Sequence, residues 1–360
     1  TGSLDDTQLR MLKERLRYLR ELEERRGAIL ASIEEQGKLT PELTREIKLA
    51  DTKTRLEDLY LPYKQKRRTK GQIALEAGLG ELADALFNDP TLTPEAEAAR
   101  FVDAEEGLAD TKAVLEGGKY ILRERFAEDA TLLDRLRVFL KDNATLSARL
   151  VAGKEQEGAK FSDYFEHDEP LKGVPSHRAL AIFRGRNEGV LSASLKVGEE
   201  LSGVATSGTI HPCELMIAER FGLEQRGRAA DRWLAEVVRW TWKVKLYTHL
   251  ETDLLGELRE AAESEAINVF ARNLHDLLLA APAGPRSVLA LDPGLRTGCK
   301  VAVVDATGKL LDTATVYPHA PKNDWNGTLA VLARLCAKHQ VELIAIGNGT
   351  ASRETDKLAA

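Results

Sequence analysis

Cysteine is scarce in this sequence of 360 residues, which contains only Cys213, Cys299 and Cys336, widely separated along the chain. An odd and scattered set argues against a disulfide framework, and it gives no paired thiolates for a zinc cluster. We interpret the three thiols as small buried hydrophobic groups. We therefore expect a cytoplasmic location, where thiols stay reduced, and neither a metal nor any other cofactor.

Long apolar segments are also absent. No run approaches the roughly 20 residues that a membrane span requires, and no signal peptide is visible. We therefore expect no membrane partner. The 51 basic and 57 acidic side chains give a net charge of −6, which argues against a uniformly basic nucleic-acid coat but leaves room for a local basic site.

Apolar residues at helical spacing dominate the first three quarters of the chain. Leu9, Leu12, Leu16 and Leu19, spaced by three and four residues, predict the first helix. The predicted helices cover residues 4–36, 40–58, 71–88, 95–106, 108–126, 129–149, 228–250 and 253–280. Between them, the stretch 153–175 is rich in Gly, Pro and charge, which is typical of a linker or a docking loop.

After residue 285 the pattern changes to short apolar runs that alternate with turns. The predicted elements are strands at 288–291, 300–305 and 310–317, a helix at 324–339 and a strand at 342–346. Three hairpin-linked strands followed by a crossover helix predict that the last strand pairs in parallel with the first. The fold class is therefore mainly α, followed by part of an α/β domain of RNase H-like or actin-like order.

Composition divides the chain into three expected domains. Residues 1–152 form a helical N-terminal domain, and residues 153–284 form a second, mainly helical region with a short strand or hairpin near 180–197. Residues 285–360 form the α/β domain. The first residue is Thr1 rather than Met, and the last residues lie inside a predicted helix, so we expect a piece of a longer protein.

Asp292 leaves the first strand of the α/β domain into a glycine-bearing turn. Two-metal phosphodiester cleavage needs several carboxylates around one point. However, Asn348 occupies the end of the last strand, and the crossover helix has no acid from Trp325 through Gln340. We therefore favour a turn-capping role for Asp292, with catalysis in a metal-dependent nuclease or resolvase as the alternative.

A concentrated basic run follows the helix-breaking Pro62. Its five cations are Lys64, Lys66, Arg67, Arg68 and Lys70. Such a run suits a phosphate backbone, because each neutralised phosphate releases counterions. A solvated run that pairs with acidic helices is equally compatible with the composition. Arg184 and Arg186 form a second candidate for nucleic-acid binding.

An aromatic stripe crosses the helix predicted at 228–250. Its members are Trp233, Val237, Trp240, Val244 and Tyr247, with basic residues between them. Aromatic and basic side chains together suggest base stacking. A stripe at this spacing more often faces a core, and we favour that interpretation.

Several strings resemble the Tex family of bacterial transcription accessory proteins. They are LEDLYLPYK at 56–64 with KRRT at 66–69, FRGRNEG at 183–189, HP at 211–212, LDPGLRTG at 291–298 and IGNGTASRET at 346–355. The resemblance covers essentially the whole chain. It implies a helical N-terminal half with a helix-turn-helix element, followed by a YqgF-type RNase H-like domain.

The resemblance also implies a function in transcription through binding of RNA or DNA. Tex proteins continue into helix-hairpin-helix modules and an OB-fold RNA-binding domain, so the main nucleic-acid contacts are expected outside this chain. The YqgF-like domain of the family has no established catalytic activity, which agrees with the position of Asn348. A platform that binds proteins, with RNA polymerase or the ribosome as partner, is an alternative that the sequence does not separate from nucleic-acid binding.

Overall fold

The computed structural model describes residues 5–64, 68–103, 108–198 and 210–359. The chain forms two compact units, which we call the helical unit, residues 1–269, and the α/β unit, residues 270–360. This confirms the predicted fold class, mainly α followed by a smaller α/β part. The division into three domains remains a prediction. No helix in the described part of the chain combines the length and the apolar character needed to cross a membrane.

The helical unit begins with a helix of 30 residues followed by shorter ones, and a side chain caps the N-terminus of each of the first four. Its helices are α1 Asp6–Glu35, α2 Pro41–Leu49, α3 Lys53–Tyr60, α4 Lys70–Glu76, α5 Gly80–Asn88, α6 Pro94–Ala98, α7 Thr111–Ala127, α8 Ala130–Asn143, α9 Ser176–Asn187, α10 Pro212–Arg220, α11 Asp231–Trp240 and α12 Tyr247–Leu278, the last of which continues beyond the unit. The single helix predicted at 40–58 is wrong. Thr52 accepts a hydrogen bond from the Arg55 amide and starts a separate helix, α3.

α7 lies at the centre of the helical core. A Cβ atom on Gly117 would fall 2.3 Å from Leu79 Cδ1, and one on Gly118 would fall 3.3 Å from Trp233. The two glycines therefore permit close packing of α7 against the start of α5 and against α11. Farther along α7, the ring of Phe126 is fully buried and stacks on Phe221 at 3.9 Å.

A small antiparallel sheet completes the helical unit. Its strands are β1 Thr145–Leu150, β2 Glu166–Pro170 and β3 Leu191–Lys196, in the order β2-β1-β3. The helix predicted at 129–149 is therefore wrong beyond Asn143. The linker predicted at 153–175 is also wrong, since this stretch contains a 3₁₀ segment, Ala159–Tyr164, and the edge strand β2.

A π-helical turn, Thr241–Leu246, joins α11 to α12 and changes the predicted aromatic stripe. Trp233 and Val237 are buried as expected. Because the turn rotates the following residues, Trp242 and Leu246 are buried instead of Val244, which is 53% exposed. The assignment of the whole stripe to the core is therefore wrong for Val244, and Trp240 is only partly buried.

The α/β unit contains one mixed sheet. Its elements are β4 Val288–Asp292, β5 Cys299–Val304, β6 Leu310–Val316, α13 Trp325–His339, β7 Leu343–Ile346 and α14 Ser352–Ala359, and the strand order is β6-β5-β4-β7. β4 pairs in parallel with β7, which confirms the predicted crossover. Leu332 and Leu335 of α13 and Leu358 of α14 join the core on one face of the sheet. Small side chains, such as Ala290 and Ala302, line a shallow depression on the opposite face.

Candidate nucleic-acid interface and strand-end site

The end of the basic run is fixed to α7 through α4. Thr69 accepts a hydrogen bond from the Gln72 amide at 3.1 Å and so caps α4. Its hydroxyl also donates to Glu124 Oε2 of α7 at 2.9 Å. A Cβ atom on Gly71 would fall 2.5 Å from this carboxylate oxygen, so a side chain here would displace the Glu124 carboxylate. The bond from Thr69 therefore links the start of α4 to Glu124.

The cations of the basic run have different surroundings. Arg68 Nε donates to Glu76 Oε2 at 2.9 Å, so this charge is compensated. Lys64 is exposed, and within the described part of the chain neither Lys64 nor Lys70 has a carboxylate partner. Lys66 and Arg67 lie outside the described residues. Free and paired cations thus occur in the same run, which gives support to both interpretations of it.

Arg184 and Arg186 lie on a different part of the helical unit. Both are exposed on α9, which packs on β3 because Gly185 leaves room for Leu191. A Cβ atom on Gly185 would fall 2.6 Å from Leu191 Cδ1. Residues two apart on a helix do not share a face, so the two guanidinium groups point in different directions. The structure therefore does not bring these arginines together as a pair.

Two residues of α7 that the sequence did not indicate, Tyr120 and Arg123, lie near the end of the basic run. The Lys70 ammonium group lies 5.1 Å from the centre of the Tyr120 ring. The Arg123 guanidinium lies 4.7 Å from the same ring centre. A spacing of three residues on a predicted helix places the two side chains near each other. Nothing in the sequence signals that the charge of Arg123 is buried.

Asp292 lies at the exposed end of β4, next to the end of β7. The Gly347 amide donates to the Leu291 carbonyl at 2.8 Å and extends the parallel pairing by one step. A Cβ atom on Gly347 would fall 3.7 Å from Asp292 Oδ1. The predicted proximity of the two strand ends is confirmed. The negative charge of Asp292, together with burial, raises the pKa of the nearby Cys299 thiol, burial being the larger cause.

The surroundings of Asp292 do not suit a metal ion. Asp292 and Lys300 are directly opposed across β4 and β5, and such pairs have Cβ atoms about 4.5–5.5 Å apart. An ammonium group in this position opposes the charge of a divalent cation. Among the residues that line the depression, Asp292 is the one carboxylate. The described residues contain no group of three or more His, Cys, Asp or Glu side chains that could hold a metal.

Comparison with known protein families identifies both parts of the chain. Residues 89–270 match a family described as Tex central region-like. Residues 286–360 match the Tex protein YqgF-like domain. The chain belongs to the Tex family. The resemblance inferred from the sequence strings is thereby confirmed.

Relatives of the Tex chain occur in distant organisms. Protein YhgF of Escherichia coli strain K12 is 61% identical over 357 residues, which cover 99% of this chain and 46% of the relative. Transcriptional accessory protein Tex of Neisseria gonorrhoeae is 54% identical over 359 residues, 100% of this chain and 46% of the relative. S1 RNA-binding domain-containing protein 1 of Homo sapiens is 27% identical over 366 residues, 99% of this chain and 35% of the relative. The chain thus spans about half the length of the bacterial relatives.

Proposed function

We propose that this chain is part of a transcription accessory factor that binds nucleic acid and acts as a scaffold without catalysis. Membership of the Tex family supports this proposal. Two relatives point in the same direction, since one is named a transcriptional accessory protein and another an S1 RNA-binding domain-containing protein. RNA polymerase or the ribosome is the protein partner that we propose, and the cytoplasm is the proposed location.

The observation that carries the proposal is the pair of uncompensated cations, Lys64 and Lys70, at the two ends of the basic run. In a chain with a net charge of −6, an exposed cation without a carboxylate partner is a place where a phosphate can dock. Thr69 and Glu124 fix the position of Lys70 relative to α7. We propose Lys66, Arg67, Arg68, Arg184 and Arg186 as further contacts to the phosphate backbone.

The test replaces the five cations of the basic run by Gln and measures binding of a labelled single-stranded oligonucleotide by fluorescence anisotropy at several salt concentrations. Each lost phosphate contact should reduce the salt slope by about 0.7 on single strands. The matched control removes five exposed cations from α1, namely Arg10, Lys13, Arg15, Arg17 and Arg20. Equal weakening in both variants would show an effect of net charge alone and would remove the basic run from the proposal.

A metal-dependent nuclease that uses Asp292 is the competing function. One observation favours it, the placement of a carboxylate where two parallel strands end together. It predicts Mg²⁺-dependent cleavage that Asp292→Asn abolishes. Cleavage that persists in this variant would exclude the role of Asp292, and cleavage that disappears would overturn the proposed scaffold function.

The organisation of the chain is also a proposal. We propose that residues 1–152, 153–284 and 285–360 act as separate domains and that the helical unit contains the helix-turn-helix element of the family. We further propose that segments outside the aligned half of the relatives provide most of the affinity for nucleic acid. Limited proteolysis tests the boundaries, since domains should be released by cleavage near residues 152 and 284.

A further inference from the structure

Two buried cations lie one turn apart on α7 and have opposite surroundings. Lys119 is 7% exposed, and its ammonium group donates to Glu236 at 2.7 Å and to Glu116 at 3.0 Å. Arg123 is 8% exposed, and within the described part of the chain it has no hydrogen-bond or carboxylate partner. One buried cation of α7 therefore has two carboxylate partners, Glu116 on α7 and Glu236 on α11, whereas the other has none among the described residues.

The acids nearest to Arg123 along α7 are engaged elsewhere. Glu124 accepts the hydrogen bond from Thr69, and Glu116 accepts from Lys119. The Arg123 Nε atom is shut off from solvent without a partner. A buried polar group without a hydrogen bond is costly, and a charged group is more so. The Tyr120 ring provides only a cation–π contact, with the guanidinium 4.7 Å from its centre.

Lys70 brings a second positive charge to the same ring. Its ammonium nitrogen lies 5.1 Å from the Tyr120 ring centre and 3.3 Å from the Tyr120 hydroxyl oxygen. No carboxylate of the described residues pairs with Lys70 either. Two like charges beside one ring repel each other, and an anion that reaches both cations would remove this repulsion.

We infer that Lys70, Tyr120 and Arg123 form a binding site for a phosphate oxyanion. The Lys70 ammonium, the Arg123 guanidinium and the Tyr120 hydroxyl supply its hydrogen-bond donors, and the two charges match a phosphate group. The inference rests on the proposed function in that the backbone phosphate of nucleic acid is the expected source. Free inorganic phosphate has the same chemistry, and the experiment separates the two sources.

The backbone on which the site depends is linked to α7, so the site differs from a cluster of unconnected surface side chains. The Thr69 hydroxyl donates to Glu124, and Gly71 packs closely against the same carboxylate, so the backbone that carries Lys70 is linked to the helix that carries Arg123. The ring of Trp240, 6.4 Å from that of Tyr120, lies beside the site on α11. The phosphate donors are therefore positioned before any ligand arrives, which reduces the ordering cost of binding.

The experiment compares wild-type protein with Arg123→Met and Lys70→Gln, and Arg232→Gln is the control. Arg232 lies on α11 with a side chain that is 94% exposed, so its substitution removes the same charge without touching the site. The probes are a 12-nucleotide single-stranded RNA, the corresponding DNA and inorganic phosphate. Binding of the oligonucleotides is followed by anisotropy, and binding of phosphate is followed by the rise in Tm.

We expect Arg123→Met and Lys70→Gln each to weaken oligonucleotide binding about tenfold at low salt, to reduce the salt slope by about 0.7, and to abolish the rise in Tm with phosphate. Arg232→Gln should retain both responses. If wild type binds oligonucleotide and the two site variants bind equally well, the site is wrong while the proposed function stands. If phosphate binds through Arg123 but no oligonucleotide binds, the oxyanion site stands and the proposed function fails.

A second readout separates a ligand-binding role from a structural one. Without phosphate, Arg123→Met removes an uncompensated buried charge, so Tm should stay unchanged or rise. A structural arginine would give the opposite result, a lower Tm in phosphate-free buffer. That outcome, together with retained oligonucleotide binding, would overturn the inference.

Discussion

The helical unit carries charged side chains inside its core, whereas every described Asp, Glu, Lys and Arg of the α/β unit is at least partly exposed. In the helical unit, Arg137 is buried between Asp58 and Asp253 and joins α3, α8 and α12. In the α/β unit, Asp312 of β6 pairs with Lys338 and His339 at the end of α13. Buried ion pairs therefore join helices in the helical unit, whereas the ion pairs of the α/β unit lie near its surface.

The difference also distinguishes Arg123 in the helical unit from Asp292 in the α/β unit. Arg123 is buried among helices and shares an aromatic ring with a second cation. Asp292 is exposed at a strand end, and its cross-strand partner is Lys300. Burial of an unpaired charge such as that of Arg123 destabilises the folded state. The charge of Asp292 costs almost no free energy, because water solvates it. Function is thus more strongly indicated at Arg123 than at Asp292.

The largest effect on stability is expected at Arg137. Its guanidinium donates to Asp58 at 2.8 Å and to Asp253 at 3.2 Å, and burial, which disfavours its charge, is outweighed by these bonds, so its pKa lies above the usual value. Arg137→Met leaves two carboxylates together, one of them buried, and should lower the free energy of unfolding by about 3–5 kcal/mol. Urea unfolding followed by tryptophan fluorescence measures the change.

Arg135 on the same helix provides the matched control for this prediction. It is half exposed and lies 3.5 Å from Glu219, so Arg135→Met should cost less than about 0.5 kcal/mol. Equal losses in the two variants would mean that burial of charge does not organise the helical unit, and the contrast with the α/β unit would disappear.

An intermediate effect is expected at Lys119. Burial, the largest influence, disfavours its charge, but the bonds to Glu236 and Glu116 outweigh burial and raise its pKa. Lys119→Met leaves two partly exposed carboxylates without a partner and should lower the free energy of unfolding by about 1–2 kcal/mol. In phosphate-free buffer, Arg123→Met should cause no loss. If both substitutions destabilise equally, the two cations play the same structural role.

Sequence reasoning succeeded where local signals and strand order agree. Short apolar runs and turns predicted β4, β5, β6 and β7, and the crossover rule predicted the parallel pairing that brings Gly347 next to Asp292. It failed for β1, where Leu146, Ala148 and Arg149 have good helix propensity but pair between two other strands. Long-range pairing overrides a weak local preference.

The candidate site was only partly accessible from the sequence. The basic run in the sequence identifies Lys70. Whether each cation has a carboxylate partner, however, depends on which helices pack against each other. The pairing of Arg68 with Glu76 and the absence of a partner for Arg123 among the described residues follow from the packing of α4 on α7. The π-helical turn after Trp240 has no sequence signal either, and it leaves Trp240 beside Tyr120.

The smallest effect is expected in the α/β unit, as a dependence on pH. The bonds from Lys338, the larger cause, and from His339 hold the pKa of Asp312 well below its usual range. A carboxyl group with a depressed pKa stabilises the folded state above its unfolded pKa of about 3.9, and this contribution is lost as the pH falls toward the folded value.

The advantage of wild type over Asp312→Asn should therefore shrink below about pH 4. Hydrogen exchange of the β6 and α13 amides, corrected for the intrinsic rate at each pH, measures it. Asp356→Asn, on an exposed position of α14, is the control for the loss of one carboxylate. A difference between wild type and Asp312→Asn that stays constant from pH 6 to pH 2 would mean that this surface pair does not stabilise the sheet. The α/β unit would then depend on apolar packing alone, and the contrast with the helical unit would become sharper.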